Sequence, residues 1–308
     1  MPQQRFHQIN GPSDLPYSDP RNANLPLSTA SKALMRNASR HATFVLPLIF
    51  LSAWTPALLA QASQPEALEA VRAAVHAEMA ANRTDLSIWT YRDHDVVPEN
   101  DGTYLTIETR QGTLRRMVEL NGQPLSPSAA EAETRRIDNY VHDPYAQAKA
   151  RKNSAHDDAQ AAEMLKMLPD AFIWSKASET PEFITLSFRP KSDFSPPDMQ
   201  SRVMGAMSGE MMIARNGNRI RTLRGTLSYS VLIGFGLLAK MYKGGTFDVE
   251  RRQVGEGHWQ ITETHVHIGG HALLFRTIGQ QEDDVKTDWK PSTDDTLQQA
   301  AHTLDTQH

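Results

Sequence analysis

Glu263, His265 and His267, followed by His271, are the residues best equipped for chemistry in this chain. Side chains two apart on a strand share a face, so on a strand the carboxylate and both imidazoles project together. That set can hold zinc, with water in the fourth position. The competing reading is a solvated strand face: Gln260, Thr262 and Thr264 are polar too, and a strand holds i, i+2 histidines nearly parallel, which makes them poor chelators alone. No metal is expected, and a metal-dependent enzyme centred on Glu263, His265 and His267 stands as the alternative. A second group, Arg215, Arg219, Arg221 and Arg224, surrounds Asn216-Gly217. Arg219 and Arg221 share a strand face and could pair with a phosphate or carboxylate headgroup; a charged hairpin that discourages edge pairing is the plainer reading. The G-x-S-x-G elbow, the H-E-x-x-H helix and the phosphate-cradling glycine loop are missing. Neither catalytic residues nor cofactors are expected.

Composition narrows the classes further. The 308 residues hold 32 Lys+Arg against 36 Asp+Glu and no cysteine. Disulfide scaffolds, thiolate zinc sites, iron–sulfur clusters and cysteine nucleophiles are thereby excluded. A net charge of −4 argues against nucleic acid, which needs a basic face to displace counterions. Arg36, Arg40 and His41 precede an uncharged apolar run, Ala42 to Ala60, that closes on Ala60-Gln61-Ala62. A basic start, an apolar middle and a small-x-small exit are the marks of a secretory signal peptide over 35–62. The run approaches the ~20 residues that span a bilayer, but Pro47, Pro56 and the alanine-rich exit favour cleavage after Ala62, leaving no stable membrane span. Residues 1–34 read as disordered or as an over-extended start, with Met35 the alternative initiator. The leader carries five of the Lys+Arg and two of the Asp+Glu, so its removal takes the net charge from −4 to −7. The expected location is the periplasm.

The elements that must position these residues follow from periodicity. Pro65, Glu66 and Glu69 open a helix whose Leu68, Val71, Val75 and Met79 recur at helical spacing, and Asn82 ends it. Strands are predicted over Leu86–His94, Tyr104–Arg110 and Leu114–Leu120, the last closing on the turn Asn121-Gly122. Ser126-Pro127 offers a cap and a first-turn proline, and Ser128 with Glu131 fits a capping box. Two helices follow, about 128–141 and 145–168, divided by Pro144, as an insertion over about 126–168. Strands then dominate: Phe172 and Trp174 alternate, as do Ile184, Leu186 and Phe188; Pro190–Pro197 is a loop; Met207–Ala214 and Arg219–Val231 form a hairpin. Thr246–Val254, His258–Ile268 and Ala272–Ile278 complete the set, and 281–308 reads as a polar, frayed tail. Val231–Ala239, uncharged and carrying Gly234 and Gly236, reads as one buried, glycine-kinked strand. Met199, Met204, Met207, Met211 and Met212 read first as core filler. The predicted class is α+β: one domain over 63–280 with a large antiparallel sheet curled into an unclosed half-barrel, helices packed on its concave side.

The stretch Met207–Ile278, with GEMMIARNGNRIRTLRGTL, LLAKMYKGGTFDVERRQVGEGHW and HVHIGGHALLFRTI, resembles the periplasmic outer-membrane lipoprotein-sorting proteins, the LolA/LolB-like superfamily, in a divergent secreted branch. Gly209, Ile213, Ile220 and Leu223 are the matching positions. The resemblance implies an unclosed barrel with helices at its mouth, an apolar cavity for acyl chains, and carriage without chemistry. The inward-facing apolar residues that would line such a cavity are Phe172, Trp174, Leu186, Phe188, Met207, Met211, Leu223, Leu227, Phe235 and Leu237, with Arg219 and Arg221 as headgroup ligands. The expected partners are lipids or lipoprotein acyl chains. An envelope module that binds a protein through the helical insertion is a further alternative.

Overall fold

The computed structural model describes residues 63–233, 239–272 and 276–306. The signal-peptide and start-site expectations, and the cavity residues Phe235 and Leu237, lie outside them. Helix α1 (Pro65–Thr84) opens the described chain with proline in its first turn. Strands β1 (Trp89–Val97), β2 (Asn100–Thr109), β3 (Gly112–Leu120) and the two-residue β4 (Gln123–Pro124) form the first meander. Helices α2 (Pro127–Val141) and α3 (Pro144–Ala171) follow. The hydroxyl of Ser126 accepts from the Ala129 amide and caps α2; Ser128 lies within the helix, and Glu131 pairs with Arg135 one turn on. The second meander comprises β5 (Phe172–Glu179), β6 (Phe183–Pro190), β7 (Met207–Ala214), β8 (Arg219–Leu227), β9 (Val231–Ile233), β10 (Ala239–Met241), β11 (Thr246–Gly255), β12 (His258–Ala272) and β13 (Arg276–Pro291). A short helix, α4 (Met199–Met204), precedes β7, and α5 (Leu297–Thr306) is the last described element.

All these strands join one antiparallel sheet in the order β4-β3-β2-β1-β13-β12-β11-β8-β7-β6-β5, with β9 and β10 branching from the end of β12. The first long strand pairs with the last, so β1–β13 is the seam that unites the two meanders. The two ends of the path, β4 and β5, do not pair, which leaves the sheet open and curved: the α+β half-barrel class expected from the sequence.

Cross-strand pairs point to one face of a sheet, and following the pairs shows how the helices are distributed. Val266 on β12 pairs with Glu282, Asp284 with Asp95, and Asp93 with Tyr104. These residues share the face on which α1 packs over Phe172, Trp174, Leu186, Met211 and Leu227. Ile107 and Leu114 pair with each other on the opposite face. There they form a second core with Ile137 and Val141 of α2 and Leu297, Ala300 and Leu304 of α5. Helices therefore serve both faces, a division that periodicity alone did not reveal.

Two glycines set the sheet's closest approach. Gly209 pairs with Gly225 across β7–β8. A Cβ on Gly209 would collide with the Arg224 carbonyl, and one on Gly225 with the Phe247 ring. The missing side chains let the aromatic ring lie against bare backbone.

Two expectations are corrected. The segment from Gln281 is not a frayed tail: it completes β13 and then forms α5, with Leu297 and Leu304 at most 1 % exposed. Its strand half carries charges that are buried as pairs, so it lacks an apolar signature. Its helical half does show the i, i+3, i+4, i+7 stripe Leu297, Ala300, Ala301, Leu304. Val231–Ala239 is not one strand either. Ile233 pairs antiparallel with Ala239, so the chain reverses between them.

Candidate functional site

Three strands bring charge into the interior on the face that also carries α1. Asp93 and Asp95 alternate on β1, Asp284 and Lys286 on β13, and Arg115 enters from β3. Asp93 is 1 % exposed and Asp284 4 %. Arg115 reaches Asp93 at 3.0 Å and Asp95 at 3.3 Å, and its guanidinium lies over the Tyr104 ring, 4.1 Å from the centroid. Lys286 pairs with Asp284 and stands 3.9 Å from Asp93.

Three carboxyl groups face two cations in this cluster, so one proton makes it neutral. Burial, reinforced by Asp284, pushes the Asp93 carboxyl up to about 6 against the opposing pull of Lys286 and Arg115. Oδ1 of Asp93 and Oδ1 of Asp284 otherwise lack hydrogen-bond partners; a proton on Asp93 donated to Asp284 supplies one. Buried polar atoms without partners are costly. The hydroxyl of Thr106 and Nε of Arg115 are buried and unpartnered beside them. The cluster can take up a proton near neutrality and can present donors and acceptors to a polar group.

The apolar half of this face lies under α1. Phe172, Trp174 and Phe188 pack ring against ring with centroids 4.7–5.8 Å apart, and the Trp174 indole donates to the Leu168 carbonyl at 3.0 Å. Leu186, Met207, Met211 and Leu227 are at most 3 % exposed, with Leu223 partly buried against them. The structure thus assembles all the described residues of the expected apolar lining into one layer. Helix α1 seals that layer with small side chains, Ala67, Val71 and Ala74.

A polar clamp fixes the far end of α1. Glu78, 2 % exposed, accepts from Arg219 at 2.9 and 3.1 Å and from the Ile220 amide at 2.8 Å, and pairs with Arg251. Burial opposes its charge, but Arg251 and Arg219 outweigh that and hold its carboxyl below the usual range. Arg221 instead binds Glu250 at 3.0 Å and the Arg251 carbonyl at 2.6 Å. The two arginines expected to act together are separated by a bulge: Met212 pairs with Thr222 but Ile213 with Ile220.

Glu263, His265 and His267 do share a face of β12, with carboxylates already in place around them. Asp283, across from His265 on β13, lies 2.6 Å from His265 Nδ1 and 2.9 Å from His267 Nε2, and Glu263 receives Arg252 at 2.7 Å. Among the described residues no group of three or more His, Cys, Asp or Glu is arranged to hold a metal ion. A separate cleft of about 560 Å³ lies at the β2–β3 turn between α2, α3 and α5. Four of its polar lining groups are engaged: Arg110 with Asp295, Gln111 with the Leu297 amide, His142 with the Asp138 carbonyl, and Gln147 with the Tyr140 and Val141 carbonyls.

Sequence reasoning missed Asp93, Arg115, Asp284, Lys286 and Glu78. Their partners lie up to 193 positions away along the chain, and only register joins them. Comparison with family models, with curated proteins and with solved structures returned no match.

Proposed function

We propose that the protein is a non-enzymatic periplasmic carrier of lipids or lipoprotein acyl chains. One observation carries the reading. A single face of an open sheet bears an apolar layer roofed by α1 and the end of α3 and, further along the same face, an interior charged cluster. An amphiphile has the same two-part character. Its chain would enter the layer of Phe172, Trp174 and Met211 as α1 lifts, and its polar end would meet Arg115, Lys286 and the Asp93–Asp284 pair. Ten methylenes leaving water contribute about 8 kcal/mol; against this stand the contacts of Ala67, Leu68, Val71, Ala74 and Val75 with the layer and, if the far end of α1 also moves, the Glu78 ion pairs. The test is displacement of an apolar fluorescent probe: fatty acid that competes for a saturable site supports carriage, and a chain that binds no probe removes it.

A second reading has its own observation. Helix α3 has 28 residues but buries only Leu168 and Ala171, and Tyr145 in its first turn is 80 % exposed. A long helix with so little buried surface suits a protein partner in the envelope. Photo-crosslinking from position 145 in the native envelope tests this: one discrete adduct favours it, and no adduct sinks it.

A further inference from the structure

We infer that the β9–β10 end of the sheet is a docking surface for a lipid bilayer rich in anionic headgroups. Three of the seven large apolar side chains exposed among the described residues fall between positions 229 and 242: Tyr229 at 53 %, Leu232 at 51 % and Tyr242 at 45 %. Register places Leu232 with cations. Leu232 pairs with Lys240, and Lys240 with His271, so these three form one row on one face. Tyr242, two residues beyond Lys240, shares that face, and its hydroxyl meets His271 Nδ1 at 2.6 Å. Lys243 is exposed next to it.

The backbone gives this end its shape. Ala239 pairs with both Ile233 and Ala272, and Ala272 pairs with Arg276. The ends of β9, β10, β12 and β13 therefore lie side by side.

Charge selects the occupant. The chain as a whole is acidic, yet it has no Asp or Glu between Glu210 and Asp248, nor between Glu263 and Glu282. Exposed tyrosine, leucine and lysine in stretches of chain that carry no acid fit the interface of a bilayer: tyrosine rings sit at headgroup depth, lysine stems lie along apolar surface with the ammonium in water, and anionic lipids attract the cations. A partner protein would more commonly meet a patch depleted of lysine. The inference deepens the carrier reading by naming the surface at which cargo is exchanged, and it rests on that reading only for its purpose.

The absence of cysteine makes a direct test possible. Leu232→Cys in the full chain introduces a single thiol at an exposed position for an environment-sensitive dye. Glu131→Cys, exposed on α2, is the control. On phosphatidylglycerol-rich vesicles the dye at 232 is expected to shift to the blue, while the dye at 131 stays water-like. Lys240→Glu with Lys243→Glu is expected to weaken binding to those vesicles about tenfold or more and to change little on neutral phosphatidylcholine vesicles. A dye at 232 that reports water throughout overturns the inference, as a chain held only through residues 42–60 would give. So does unchanged affinity in the lysine variant, provided its unfolding transition matches that of the parent chain. Docking lost while probe displacement persists sinks this inference alone; docking retained without displacement sinks the carrier reading alone.

Discussion

Glu78→Ala should loosen α1 from the sheet, and the size of the effect follows from what the substitution leaves behind. The Glu78 side chain is 3 % exposed, with Arg251 at 9 % and Arg219 at 12 %. Alanine strands both guanidinium groups in a poorly hydrated place and removes the acceptor of the Ile220 amide. Removing one partner of a buried ion pair costs about 3–5 kcal/mol. For a chain of this size each kcal/mol lowers Tm by about 2–4 °C, so a fall of roughly 6–20 °C is expected by circular dichroism. Glu78→Gln keeps an oxygen for Ile220 and should cost less, about 1–3 kcal/mol. The pH dependence has a definite sign. The folded carboxyl ionises below its ordinary 4.5, so its stabilisation is complete above that value and is lost as pH falls through the folded pKa. The gap between the parent and Glu78→Gln should therefore close in acid. A Glu78→Ala chain within about 1 kcal/mol of the parent would refute the clamp.

Three further outcomes follow from the packing. The Asp93 carboxyl sits at about 6 when folded against 3.8 in the free group, so the folded state holds the extra proton between those values and stability falls as pH rises through that window. The difference corresponds to about 3 kcal/mol, and Asp93→Asn should remove that slope in urea titrations at pH 4 to 8; an unchanged slope contradicts it. Gly209→Ala should cost about 1–3 kcal/mol, because its methyl group meets the Arg224 backbone and neither strand can yield alone; a neutral result in thermal melts would show that the strands separate freely. Leu304→Ala, at a fully buried position of α5, should cost about 2–5 kcal/mol, whereas a frayed terminus would register no change.

Periodicity exposes some of this architecture and hides the rest. Leu186 and Phe188 alternate, Val71 and Val75 repeat at helical spacing, and Ser126-Pro127 announces α2, so local rules suffice where one face is apolar. They fail on β13. Asp284 points inward beside Lys286, and Asp93 beside Arg115, and no window along the chain can see partners on other strands. The same blindness split Arg219 from Arg221, since a bulge changes parity only once β7 and β8 are paired. His265 and His267 were correctly set on one face, but their shared carboxylate, Asp283, comes from β13. The α5 stripe was legible and was masked by its polar surroundings.

Native mass spectrometry of the chain purified from its native source tests the carrier proposal most directly. The account predicts about one amphiphile bound per chain, released when organic solvent unfolds the protein, with an apolar tail long enough to cover the Phe172–Trp174–Met211 layer. A population at the bare polypeptide mass, unchanged after incubation with fatty acids or phospholipid, would contradict it.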